Sequence, residues 1–183
     1  MIRDIFFRVV QLITAPEKAW RTLFSEENEL DSFLSRFLHP IFGFIALTSF
    51  IGGLWFTSGG NVQLALKNTI ANVVAVFGGY FIASFFLNEL APRYGLIKNM
   101  PFFQQFVGYS SVALYAIYFI IPFIPDFFIL WIFAIYTLYI VYAGASIYLR
   151  ITEDKRMNFT IIATLFIVLS PLVLNGILSF IIH

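Results

Sequence analysis

The sequence contains no cysteine and few charged residues. The absence of cysteine among its 183 residues excludes disulfides, thiol nucleophiles and metal sites with cysteine ligands. Charged side chains make up 11% of the chain and hydrophobic ones 60%, whereas soluble domains have roughly 25% charged and 45–50% apolar residues. A chain of this length cannot hide so much apolar surface from water in a single core. The composition therefore predicts an integral membrane protein.

Reactive side chains are also scarce. The chain has two histidines, His39 and the last residue, His183, and its sequence shows no metal-ligand spacing, no paired intramembrane aspartates and no Gly-rich phosphate loop. An intramembrane enzyme would need His39 beside a nucleophile, and no neighbouring motif supports one. We therefore expect no catalytic residue, no metal and no cofactor. The formal net charge of +1 gives no reason to expect a nucleic-acid partner.

Apolar residues are grouped in runs of about 20, the length that a helix needs to cross roughly 30 Å of hydrocarbon. Five runs are predicted to be transmembrane helices: 37–56, 66–87, 106–124, 127–149 and 159–182. Pro122, Pro125 and Asp126 indicate a short turn between the third and fourth spans, which makes these two antiparallel neighbours. The predicted fold is all-α and polytopic, with a five-span transmembrane domain over 37–183.

The preceding segment, 1–36, is predicted to form cytoplasmic amphipathic and interfacial helices. Its first apolar positions at helical spacing are Ile2, Ile5, Phe6, Val9 and Ile13. Such a helix lies either in the lipid headgroup region or against the rest of the protein, and the pattern fits both. Thr14 and Glu17 then have capping-box spacing around Pro16, which predicts a second short helix with Trp20 as an interfacial anchor.

Basic residues lie almost entirely on one side of this five-span arrangement. Of the 11 Lys and Arg residues, ten precede the first span or fall in the loops after the second and fourth spans, and Lys67 falls on the other side. Loops rich in Lys and Arg stay in the cytoplasm. The N-terminus is therefore predicted to be cytoplasmic and the C-terminus non-cytoplasmic.

The second span carries a stripe of small residues, each four positions from the next: Ala71, Ala75, Gly79 and Ala83. Small side chains at this spacing let two helix backbones approach closely within a membrane. The stripe predicts a close helix contact, either within the monomer or between copies in a homo-oligomer.

A few polar residues fall inside or at the ends of the spans. Those that could line a semi-polar path are Asn72, Tyr115, Tyr136, Tyr139 and Asn175. Hydrogen bonds between helices are the simpler interpretation, because an amide or hydroxyl in lipid must find a partner. Glu89 and Arg93, four residues apart at the end of the second span, are predicted to form an interfacial ion pair.

Several motifs follow one another in a recognisable order. A Pro-x-x-x-Trp element, from Pro16 to Trp20, precedes the first span; the segment GYSS at 108–111 opens the third span and Pro122 ends it. Gly144 lies near the end of the fourth span, before a basic loop. In this order the sequence resembles the Yip-domain family of Ypt/Rab-interacting membrane proteins, particularly its short prokaryotic members.

The resemblance implies a five-span protein with a cytoplasmic N-terminus and a non-cytoplasmic C-terminus. Eukaryotic relatives are associated with Rab GTPases and vesicle traffic, but this sequence lacks their long cytoplasmic N-terminal domain. Its short loops and 24 phenylalanines resemble those of a bacterial relative, which implies the inner (plasma) membrane and no Rab partner.

Abundant packing residues with almost no reactive ones favour a protein that acts by association. The leading hypothesis is a non-enzymatic, multi-pass membrane protein of the Yip-domain type that associates with membrane lipid, with other membrane proteins or with itself. The alternative is a small transporter, channel or lipid-moving protein that uses the semi-polar path named above.

Overall fold

The computed structural model describes residues 2–26, 29–57, 59–124 and 132–182, and every regular element in these ranges is helical. Two short helices come first, α1 (Ile2–Thr14) and α2 (Pro16–Ser25). We call them the N-terminal helix pair. The predicted helix at the N-terminus is therefore present, and a second one follows at Pro16 as expected.

Three helices of the described residues are long and apolar enough to cross a membrane. The first joins α3 (Leu30–Phe33), a π-helical turn (Leu34–Leu38), α4 (His39–Gly52) and a second π-helical turn (Gly53–Thr57). The second is α5 (Val62–Leu90), continued by a 3₁₀ turn (Ala91–Tyr94), and the third is α9 (Glu153–Ile182). They contain the first, second and fifth of the predicted spans.

The third and fourth predicted spans take a different form. The third is built from α6 (Met100–Ser110) and α7 (Val112–Ile120), which are separated at Ser111. It begins earlier than the predicted residue 106, because the Asn99 side chain caps α6 by accepting a hydrogen bond from the Phe102 N–H. The fourth is a shorter apolar helix, α8 (Ile132–Ile147); the predicted turn residues Pro125 and Asp126 and the start of that span lie outside the described residues.

A single core connects the long helices with the N-terminal helix pair. Leu12 and Trp20 are fully buried in the same apolar cluster as Phe103, Phe106 and Phe159. The most extensive contact between two helices is that of α5 with α9, and α2 packs mainly on α8. Residues of both 1–36 and 37–183 belong to this one core.

Candidate functional site

Helix α2 is held inside the bundle by its tryptophan. Pro16, Ala19, Trp20 and Leu23 form its buried face, at the spacing expected for one side of a helix. The indole N–H of Trp20 donates a hydrogen bond of 3.0 Å to the Ile140 carbonyl, and the side chain has no exposed surface. The prediction that Trp20 anchors at the membrane interface is therefore wrong, because this hydrogen bond satisfies the indole in the core.

Aromatic rings surround the Trp20 indole. The ring centroids of Tyr148, Phe106 and Tyr109 lie 5.2, 5.5 and 6.2 Å from it. Gly144 of α8 provides the space for this contact, since a Cβ atom there would lie 2.7 Å from the indole. The glycine that the sequence placed near the end of the fourth span is thus the point where α8 accepts Trp20.

The N-terminal helix pair forms a hairpin that lies along α8. The Tyr136 hydroxyl donates a 2.7 Å hydrogen bond to the Ile13 carbonyl near the turn of the hairpin. At the open end, the Arg8 guanidinium pairs with the Glu26 carboxylate at 2.6 Å. Sequence reasoning missed both contacts, because each joins residues whose separation along the chain carries no periodic signal.

The turn of the hairpin does not contain the predicted capping box. The Thr14 hydroxyl donates to the Val10 carbonyl behind it, at 2.8 Å. The N-cap of α2 is Ala15, which has no side-chain oxygen to offer. The first backbone N–H groups of α2 therefore have no side-chain cap.

Helix α1 presents apolar residues on two sides. Ile5 and Leu12 are buried in the core, with Val9 and Ile13 packed against it. Large apolar side chains remain exposed on the other side: Ile2, Phe6, Phe7 and Val10. The helix therefore packs on the protein and still has an apolar face that is free to meet lipid.

Three open grooves border the hairpin. Two lie on either side of Arg8 and have volumes of about 560 and 410 Å³; the first is lined by Arg3, Phe7 and Glu26 among others, the second by Ser32, Arg36 and Tyr109. The third has a volume of about 460 Å³ and lies between α2 and α8. Its lining residues are Thr14, Ala15, Pro16, Glu17, Lys18, Arg21 and Tyr139.

The five residues of the predicted semi-polar path lie in three separate places. Asn175 donates a 3.2 Å hydrogen bond to the side-chain oxygen of Asn72, which joins α9 to α5. Tyr115 is buried beside a cavity of only about 10 Å³. Tyr136 and Tyr139 lie next to the hairpin instead. These positions do not form a common path, and the two asparagines bond each other, as the simpler interpretation expected.

The small-residue stripe of the second span faces the interior of the chain. Ala71, Ala75, Gly79 and Ala83 are all buried. A Cβ atom on Gly79 would lie 2.7 Å from the Pro171 ring of α9. The stripe thus packs within the monomer, and little of its surface is exposed.

Glu89 forms an ion pair with a different partner from the one expected. Its carboxylate contacts the Lys98 ammonium instead of Arg93. The α-helical spacing behind the Glu89–Arg93 prediction is lost because α5 ends at Leu90 and a 3₁₀ turn follows. At the same end of the bundle, the Tyr94 hydroxyl donates a hydrogen bond of 2.7 Å to the side-chain oxygen of Asn158.

No group of three or more possible metal ligands occurs among the described residues.

Residues 10–175 match the family model described as the Yip1 domain. The match includes residues 10–14 of α1, all of α2 to α8 and most of α9. It therefore covers the bundle and α2 but leaves out most of α1. It confirms the resemblance inferred from the sequence motifs. No curated protein and no solved structure matches the chain.

Proposed function

The chain belongs to the Yip1 domain family, and from this premise we propose that it is a non-enzymatic, five-span membrane protein that works by binding lipid or other membrane proteins. Its crossings are the three long helices, the α6–α7 pair and α8. Its membrane is a bacterial inner membrane, in keeping with the short loops and high phenylalanine content.

The orientation of this proposal follows from charge. With five crossings, Arg93 and Lys98 share a side with the N-terminal helix pair, and so do the basic residues of the loop from 150 to 156. The positive-inside rule places that side in the cytoplasm. The two grooves at Arg8 then open at the cytoplasmic surface, where soluble domains and lipid headgroups are both within reach.

The proposal depends mainly on where the grooves and cavities of the structure lie. Asn72 and Asn175 bond each other, and Tyr115 borders a cavity of about 10 Å³, which holds no more than about one water molecule. The three open grooves of about 410–560 Å³ border the hairpin. This distribution supports binding beside the hairpin over conduction through the bundle.

Site-specific photo-crosslinking in native membranes tests the proposal. A photoreactive residue at Phe7, which is 64% exposed and lines the groove of about 560 Å³, should give discrete adducts with a protein or a lipid. The matched control is the same residue at Phe180, 88% exposed near the end of α9. Indistinguishable adduct patterns at both positions would contradict a specific binding surface at the hairpin.

A further inference from the structure

The groove between α2 and α8 lies well inside the bundle's length. Two hydrogen bonds, from Tyr136 to Ile13 and from Trp20 to Ile140, fix the hairpin against this part of α8. Tyr139, in the groove, precedes the end of α8 at Ile147 by eight residues. At about 1.5 Å per residue the groove is about 12 Å from that end, compared with roughly 30 Å for a whole hydrocarbon core.

The exposed side of α8 next to the groove is apolar. Ile135 is 69% exposed and Leu138 is 37% exposed; they lie about one turn and one residue before the half-exposed Tyr139, on the same side of it. Side chains of this kind face acyl chains in a membrane-spanning helix. The groove therefore opens toward the lipid when α8 crosses the membrane, as the proposed function requires.

Charged side chains lie in this groove at the same depth. Glu17, Lys18 and Arg21 line the groove and are all exposed. Their one negative and two positive charges give the groove a net charge of one positive. Hydrocarbon cannot solvate such groups, and membrane proteins provide them with a polar partner or with water. The N–H groups at the start of α2, which have no side-chain cap, add further donors on this side.

We propose that this groove binds the phosphodiester headgroup of a bilayer phospholipid and draws it below the level of the neighbouring headgroups. Lys18 and Arg21 hold the phosphate, the Tyr139 hydroxyl donates to it, and the acyl chains lie along Ile135 and Leu138. A phosphodiester fits because it carries one negative charge, equal to the net positive charge of the groove, and its oxygens accept hydrogen bonds from Arg and Lys.

Lipid retention measured by native mass spectrometry tests this site. The full-length protein, released from nanodiscs of phosphatidylglycerol and phosphatidylcholine, should retain a phospholipid that survives mild activation. The double variant Lys18→Gln with Arg21→Gln should retain it about tenfold less, the factor expected when a charge-assisted hydrogen bond is lost. The control variant Lys67→Gln with Arg93→Gln removes the same charge from two exposed positions elsewhere and should retain lipid like the unmodified protein.

Thermal unfolding and competition with inorganic phosphate complete the test. Because Lys18 and Arg21 are exposed, thermal unfolding of the double variant should match that of the control, which separates lost binding from lost folding. Equal lipid retention by the two variants, or displacement of the lipid by inorganic phosphate alone, would overturn the proposal. A specific adduct at Phe7 alongside such a failure would leave the proposed function standing. Retained lipid without that adduct would support the groove and contradict a binding surface at Phe7.

Discussion

At the scale of single residues, the burial of Trp20 requires a glycine at position 144. A tryptophan is among the largest apolar side chains, and its N–H must have a partner when it is buried. The Ile140 carbonyl is that partner, and the ring reaches it because the facing position of α8 has no side chain. The contact connects a residue near the N-terminus with one in the second half of the chain, and it gives α2 a fixed place in the core.

Replacing Gly144 with alanine should therefore destabilise the protein. The added Cβ atom would lie 2.7 Å from the Trp20 ring and 2.9 Å from the Phe106 ring, and overpacking of this kind costs about 1–3 kcal/mol. Thermal unfolding in detergent measures the change. Gly43→Ala is the control, since a Cβ atom there meets nothing within 4 Å and a helix favours alanine over glycine by up to about 1 kcal/mol. Equal unfolding temperatures for the two variants would contradict the close contact at Trp20.

At the scale of helices, α5 and α9 form the closest pair in the bundle. Without a hydrophobic driving force between helices in lipid, such a pair is stabilised by van der Waals contact and by interhelical hydrogen bonds. Gly78 and Gly79 admit Leu174 and Pro171 of α9, and Asn72 bonds Asn175 farther along the same contact. Small residues and an amide pair thus act together to set the register of two long helices.

Gly79→Ala should weaken this pair without changing the number of copies in the particle. Its Cβ atom would lie 2.7 Å from the ring and backbone nitrogen of Pro171, which cannot turn aside as a flexible side chain can, so we expect a loss of about 1–3 kcal/mol. Denaturation in mixed micelles measures the stability, and size-exclusion chromatography with light scattering measures the mass. Gly176→Ala on α9, with open space around it, is the control. A change of mass with unchanged stability would instead assign Gly79 to an interface between copies.

At the scale of the whole molecule, the open end of the docked hairpin lies at the same end of the bundle as the basic loops after the second and fourth spans. The ion pair of Arg8 with Glu26 and that of Glu89 with Lys98 both lie at this end. The Arg150 guanidinium also lies over the Phe24 ring, 4.4 Å from its centroid. Loops and hairpin therefore make one continuous surface, which is cytoplasmic under the proposed orientation.

Tag accessibility tests that orientation. In intact cells, a tag at the N-terminus or beside Arg150 should be protected from a membrane-impermeant reagent, whereas a tag at Gly60 or at the C-terminus should react. The reason is the ten-to-one distribution of Lys and Arg across five spans. Permeabilised cells provide the control, since all four tags should then react. Reaction of both termini in intact cells would rule out an odd number of crossings.

The sequence by itself determined the class of the protein, because composition and run length report the solvent around each helix. Apolar runs of about 20 residues and few charges require a bilayer, and the order of Pro16, Trp20, the segment 108–111 and Gly144 was enough to identify the family. The spacing of the small residues in the second span likewise predicted a close helix contact. Each of these signals is local or periodic along the chain.

Only the tertiary structure decided which surfaces meet. The periodicity of α1 and α2 identified their apolar faces, but a buried tryptophan and an interfacial one have the same local sequence, so nothing local placed Trp20 in the core. The same limit applies to Asn72 and Asn175, whose spacing along the chain does not indicate whether they line a path or bond each other. Contacts between distant segments depend on how whole helices fit together, and the position of Lys18 and Arg21 halfway along α8 follows from that fit alone.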